Sequence, residues 1–110
     1  MDEEVIPILK INDATQAVAW YRRLGFEQEW VHRFGREFPA FVSIAKGKAR
    51  LFLSEHQGDA RSDILIYVRV ADLATVANEF GVRVEEQPWA RECYLTYPDG
   101  NRLRIGTPKD

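Results

Sequence analysis

The stretch EEQPWARECYLTYPDGNRLRIG, residues 85–106, decides the fold of this chain. In it Cys93 and Leu95 alternate with Glu92, Tyr94 and Thr96. Alternation of this kind marks a strand with one apolar and one mixed face. Pro98, Asp99 and Gly100 form a strong turn signal. Beyond the turn, Leu103 and Ile105 alternate with Arg102 and Arg104, so the second arm of a hairpin carries two arginines on its mixed side.

Upstream of the hairpin, Ile64–Val70 reads as a strand. Ile64, Ile66, Val68 and Val70 face one way, and Leu65, Tyr67 and Arg69 the other. Asp72 is placed to cap a helix over Leu73–Phe80, and Gly81 to end it. Val82–Gln87 reads as a short strand, and Pro88 and Trp89 as a connection. The order is β-α-β-β-β, with the residues after Gly106 expected to fray.

The first half has the same order. Val5–Ile11 is apolar and β-branched, and Pro7 places it at a sheet edge because proline cannot donate to a ladder. Asn12 or Asp13 caps a helix whose Ala14, Ala17, Val18, Tyr21 and Leu24 share one side, with Gly25 as its stop. Phe26–Phe34, Phe38–Ala45 and Ala49–Glu55 read as three strands, the last two joined by a turn at Gly47. In the last of these, Leu51 and Leu53 oppose Arg50, Phe52 and Ser54. The fold class is therefore α+β. Two β-α-β-β-β modules, about 4–56 and 63–106, form a curved mixed sheet with helices on its convex side, and 1–110 is a single domain. The aliphatic faces pack on the helices. The mixed faces join aromatic, hydroxyl and cationic groups, a surface suited to an organic ligand with some polar groups.

Composition narrows the function. The 110 residues hold 15 basic and 17 acidic side chains, a net charge of −2, without any Lys/Arg block. Nucleic acid is not an expected partner. A mildly acidic chain tolerates a cationic ligand better than an anionic one. No long apolar run or leader-like segment is present, so no membrane span is expected and the cytoplasm is the expected location. The lone cysteine, Cys93, excludes an internal disulfide and falls on an aliphatic face, as a small buried hydrophobe does. Serine-nucleophile and phosphate-loop patterns are lacking.

AWYRRLGF at residues 19–26 and YPDGNRLRI at residues 97–105, in this order and spacing, resemble the vicinal-oxygen-chelate superfamily. That superfamily joins glyoxalases, extradiol dioxygenases and bleomycin-resistance proteins. ARLFLSEHQ and QPWARE most resemble the bleomycin-resistance branch, with Ala90 where glycine is common and Tyr97 where the final turn usually has aspartate. The resemblance implies paired β-α-β-β-β modules, a homodimer, and grooves at the dimer interface that bind a drug by stacking aromatic rings on it.

Metal-dependent relatives hold their ion with His, Gln or Glu. Carried over by resemblance, those places fall at Ile6, Phe52, Leu65 and Arg104. None of these side chains can hold a divalent cation, and Arg104 would repel one. No metal and no cofactor is expected, and Arg104 is expected either to form an exposed cross-strand ion pair with Glu92 or to meet an anionic or carbonyl group of a ligand, the pairing being the favoured reading. The expected ligand contacts are Trp89, Tyr67, Phe34, Phe38, Phe52, Tyr94, Arg104 and His32. Trp30 and Phe41 are assigned instead to a dimer core. The resulting expectation is a non-catalytic protein that sequesters a planar, cationic or amphipathic compound, bleomycin-like or another aromatic molecule. The rival is a glyoxalase-like lyase or isomerase, or a dioxygenase, with a displaced metal site.

Overall fold

The computed structural model describes residues 3–109. Met1, Asp2 and Asp110, which the predicted domain includes, lie outside the described residues. The chain divides into two compact units, Met1–Ser62 and Asp63–Asp110.

The first unit runs β1 (Ile8–Lys10), α1 (Ala14–Arg22), β2 (Glu27–His32), β3 (Phe41–Lys46) and β4 (Ala49–Ser54). Its four-stranded sheet has the order β1-β4-β3-β2. β1 and β4 are parallel, and the other neighbours antiparallel. The second unit runs β5 (Leu65–Arg69), α2 (Leu73–Phe80), β6 (Glu85–Glu86), β7 (Ala90–Thr96) and β8 (Arg102–Pro108). Its order, β5-β8-β7-β6, repeats the first with the same parallel and antiparallel pattern. A parallel first pair needs a crossover, and the helix of each unit supplies it.

The apolar periodicities set which face meets the helix. In the first unit Leu9, Val42, Ile44, Leu51 and Leu53 are buried together with Ala14, Ala17, Val18 and Tyr21 of α1. In the second, Val68, Cys93, Leu95, Leu103 and Ile105 are buried together with Leu73, Val76 and Ala77 of α2. Each such Leu or Ile contributes about 1.5–3 kcal/mol on leaving water, far more than any single surface interaction. Asp13 caps α1 by accepting from the Gln16 amide at 2.9 Å, and Asp72 caps α2 by accepting from the Thr75 amide at 3.1 Å. α1 closes at Arg23 in right-handed conformation, two residues before Gly25, whereas α2 closes on Gly81 itself at φ 64°.

Strand ends depart from the periodicity. β1 is shortened by Pro7, although the Pro7 carbonyl still accepts from the Phe52 amide at 2.9 Å. β3 begins at Phe41 rather than Phe38, because Phe38 turns back to the Gly35 carbonyl at 3.0 Å. β6 keeps only Glu85 and Glu86. The expected fraying after Gly106 is corrected: Pro108 pairs with Ala90, and Thr107 Oγ1 donates to the Val70 carbonyl at 2.8 Å. Ladder bonds and this hydroxyl hold the segment down.

Candidate functional site

On the second sheet, the face away from α2 is a small grid. Tyr67, Arg104 and Tyr94 form one row across β5, β8 and β7. Leu65, Arg102 and Thr96 form the row on one side of it, and Arg69, Gly106, Glu92 and Glu85 the row on the other. Glu92 is completely buried.

A buried carboxylate is costly unless its oxygens are satisfied, and here both are. Oε1 accepts from Arg104 Nε at 2.8 Å and Nη2 at 2.7 Å, and from the Tyr94 hydroxyl at 3.3 Å. Oε2 accepts from the Tyr67 hydroxyl at 2.7 Å and the Trp89 indole Nε1 at 3.0 Å. Burial raises the pKa of the Glu92 carboxyl, but the bonds from Tyr67, Arg104 and Trp89 outweigh it and hold the group below the usual carboxylate range. The bond to Glu92 keeps the Arg104 guanidinium charged, and burial together with Glu92 raises the Tyr67 hydroxyl. Arg104 also lies 5.6–5.9 Å from the ring centres of Tyr94, Trp89 and Tyr67, within cation–π range.

The packing depends on a missing side chain. A methyl group on Gly106 would collide with the Tyr67 hydroxyl and crowd Glu92 Cγ at 3.3 Å. Glycine here lets the Tyr67 hydroxyl lie against the β8 backbone and reach the carboxylate. The rings remain open on their outer sides: Trp89, Tyr67 and Tyr94 are 57%, 45% and 42% exposed.

The corresponding face of the first sheet is apolar at its centre. Phe52 contacts Trp30 at 5.6 Å and Phe41 at 5.2 Å between ring centres, and Trp30 stacks on Phe41 at 6.1 Å. The ladder shifts register between Gln28 and Trp30. A bulge of this kind re-aims side chains: Trp30 joins the rings while its sequence neighbour Glu29 bonds Ser43 and Arg50 on the same face. The Arg50 bond, seconded by Ser43, lowers the Glu29 pKa to about 2.

The structure thus gathers four of the predicted ligand contacts, Trp89, Tyr67, Tyr94 and Arg104, around one carboxylate. Phe52 sits in the ring cluster of the first sheet. His32 and Phe34 pair with each other at 4.8 Å, and Phe38 lies over Gly35 on an exposed loop. The Arg104–Glu92 pair is present, but its exposure is corrected: the carboxylate side is sealed because two tyrosines and a tryptophan close over it. Sequence reasoning placed Glu92 on the mixed face without seeing that three ring donors converge on it. The available signal was its parity with Tyr94 and its place across from Arg104's strand.

The residues at the metal positions do not fit a metal. Phe52 and Leu65 offer no donor, Ile6 is an alkyl side chain, and Arg104 is a cation. Among the described residues no group of three His, Cys, Asp or Glu side chains converges. Glu92, with its oxygens engaged and its pKa lowered, is a weak base at neutral pH. Cys93 is buried and its thiol pKa is raised by burial, so it is a poor nucleophile.

Comparison with known proteins settles the family. The model of a glyoxalase superfamily protein matches residues 1–110. The chain belongs to the glyoxalase superfamily. Solved structures with this superfamily fold include a bleomycin-binding protein in complex with bleomycin, 23% identical, covering 98% of this chain and 100% of that one, TM-score 0.73. A bleomycin resistance determinant encoded on the transposon Tn5 is also 23% identical, covering 99% and 100%, TM-score 0.75. A glyoxalase-related enzyme from Clostridium phytofermentans is 19% identical, covering 99% and 97%, TM-score 0.74. No curated protein matches the chain. The glyoxalase-superfamily fold thus hosts both binders and enzymes, and the choice for this member rests on its side chains. No helix among its described residues is long and apolar enough to cross a membrane.

Proposed function

We propose that this glyoxalase-superfamily member is a binding protein that sequesters a planar, amphipathic, drug-like compound without making or breaking a bond. The observation that carries the reading is the centre of the second sheet. There Arg104 neutralises a sealed carboxylate, and three ring side chains around the pair stay about half open. Such a surface offers flat apolar area around a neutralised guanidinium–carboxylate pair. Stacking on it adds about 0.5–1.5 kcal/mol beyond area burial. It offers no base, nucleophile or metal cage for the glyoxalase type of chemistry. The working assembly in this proposal is a cytoplasmic homodimer with its grooves at the subunit interface, where Trp30 and Phe41 serve as core. The similarity to two bleomycin-binding or bleomycin-resistance structures supports bleomycin as the first compound to try.

The test is calorimetric titration of the protein with metal-free and copper-loaded bleomycin, followed in parallel by tryptophan fluorescence. Binding heat and quenching are expected. Neither signal at high protein concentration removes bleomycin as a ligand. Sedimentation of the same sample reads the dimer: a monomer at micromolar concentration contradicts the interfacial groove.

A further inference from the structure

The grid on the second sheet carries a charge pattern of its own. The overall charge of −2 suggested a cation. The charges of this face give the opposite sign. Arg69, Arg102 and Arg104 stand on it against Glu92 and Glu85, a surplus of one positive charge. The distribution matters more than the sum. Glu92 is sealed and already paired to Arg104. Glu85 lies on the edge strand β6, in the row farther from Arg102. In the row beyond the rings, Arg102 is exposed and donates to the Asp63 backbone carbonyl, at 3.2 Å. Among the described residues it pairs with no carboxylate. Thr96, its direct cross-strand partner, is also exposed and presents a hydroxyl on the same side.

We infer that the second sheet takes a planar aromatic carboxylate, its ring over the Tyr67–Arg104–Tyr94 row and its anionic end at Arg102 and Thr96. This rests on the binding reading above and adds the charge and the polarity of the ligand. Adjacent rows on one strand lie about 7 Å apart, two residues of rise. A ring seated on one row therefore carries its carboxylate to the next. A planar guanidinium beside a hydroxyl donor suits a carboxylate, which accepts in a fork and in the plane of its own ring. An ammonium at the same place would meet the Arg102 guanidinium, which among the described residues pairs with no carboxylate.

Two probes of equal ring and opposite charge decide the matter: 2-naphthoate and naphthalen-2-ylmethylammonium, each titrated into the full chain by calorimetry at low and high salt. The naphthoate is expected to bind about tenfold more tightly at low salt, the size of one charge-assisted contact. Arg102→Met is expected to erase that preference, while the binding common to both probes and the melting temperature stay put. Arg102→Lys retains part of it. An ammonium probe that binds as well as or better than the naphthoate overturns the charge inference alone. So does an Arg102→Met variant that still prefers the acid. If neither probe binds at millimolar concentration, the inference fails together with the binding reading on which it rests.

Discussion

Phe52 and Arg104 occupy the same place in two modules of one topology. Phe52 pairs across its ladders with Ile8 and Ser43, and Arg104 with Tyr67 and Tyr94. Around Phe52 the first module gathers Trp30 and Phe41, and its ionic contacts move aside to Glu29, Arg50 and Glu4 near the surface. Around Arg104 the second module does the reverse: it buries the ion pair and spreads the rings over it. The helix-facing sides of both sheets are aliphatic and interchangeable in kind. The open faces are not, so the architecture fixes where a site can lie and leaves its chemistry to a few side chains.

The sharpest way to break this contrast is to remove the buried acid. Glu92→Leu leaves the Arg104 guanidinium among rings without its carboxylate and strips an acceptor from Tyr67 and Trp89. We expect the largest fall in melting temperature of any variant named here, because breaking one side of a buried pair costs more than the pair contributes. Removing both partners, Glu92→Leu with Arg104→Met, should recover most of the loss. A single variant as stable as the parent in thermal circular dichroism contradicts the sealed-pair account. In the first module, Phe52→Ala should cost about 2–3 kcal/mol in chemical denaturation. That is below the value for a fully buried phenylalanine because Phe52 is only half-buried. Gly106→Ala should cost about 1–3 kcal/mol by overpacking against Tyr67, whereas Ala45→Gly, at a half-buried position on the first module's open face, should cost less.

Acid separates the two modules more gently. Glu29 falls from an ordinary 4.5 to about 2, chiefly through its bond from Arg50. Glu92 is lowered too: burial opposes this, but the bonds from Tyr67, Arg104 and Trp89 outweigh it. A depressed carboxyl contributes stability that is complete above its unfolded value and is lost as pH falls through its folded value. Stability should therefore hold above pH 4.5 and decline from there towards about 2. Arg50→Met should flatten part of that decline and leave the part due to Glu92. The shift should be the smallest of the series and weaken with salt, since the Arg50–Glu29 side chains are about a third exposed. A decline unchanged by Arg50→Met would assign the acid sensitivity to the second module alone.

Much of this was readable in the sequence because period-two alternation and helix caps are local. The element order, the Asp72 cap, the burial of Cys93 and the pairing of Arg104 with Glu92 all follow from residues near one another in sequence or across one hairpin, whereas the first helix cap stays open between Asn12 and Asp13 until the structure gives it to Asp13. What stayed hidden depends on departures from period or on distant elements. The bulge that puts Glu29 and Trp30 on one face breaks the alternation that would have separated them. The sequence places Trp89 in a connection as a ligand contact and does not show that its indole is tied to Glu92 once the chain turns into β7. The need for Gly106 appears only when Tyr67, 39 positions earlier, is laid across it. The strand ends followed ladder bonds that no local pattern announces.

The central claim is that the face built on Arg104 works through rings and charge, not through a metal ion. Elemental analysis of the protein purified without chelator tests it most directly. The account predicts divalent metal far below one ion per chain. One zinc, nickel or iron ion per chain, retained through gel filtration, would contradict it.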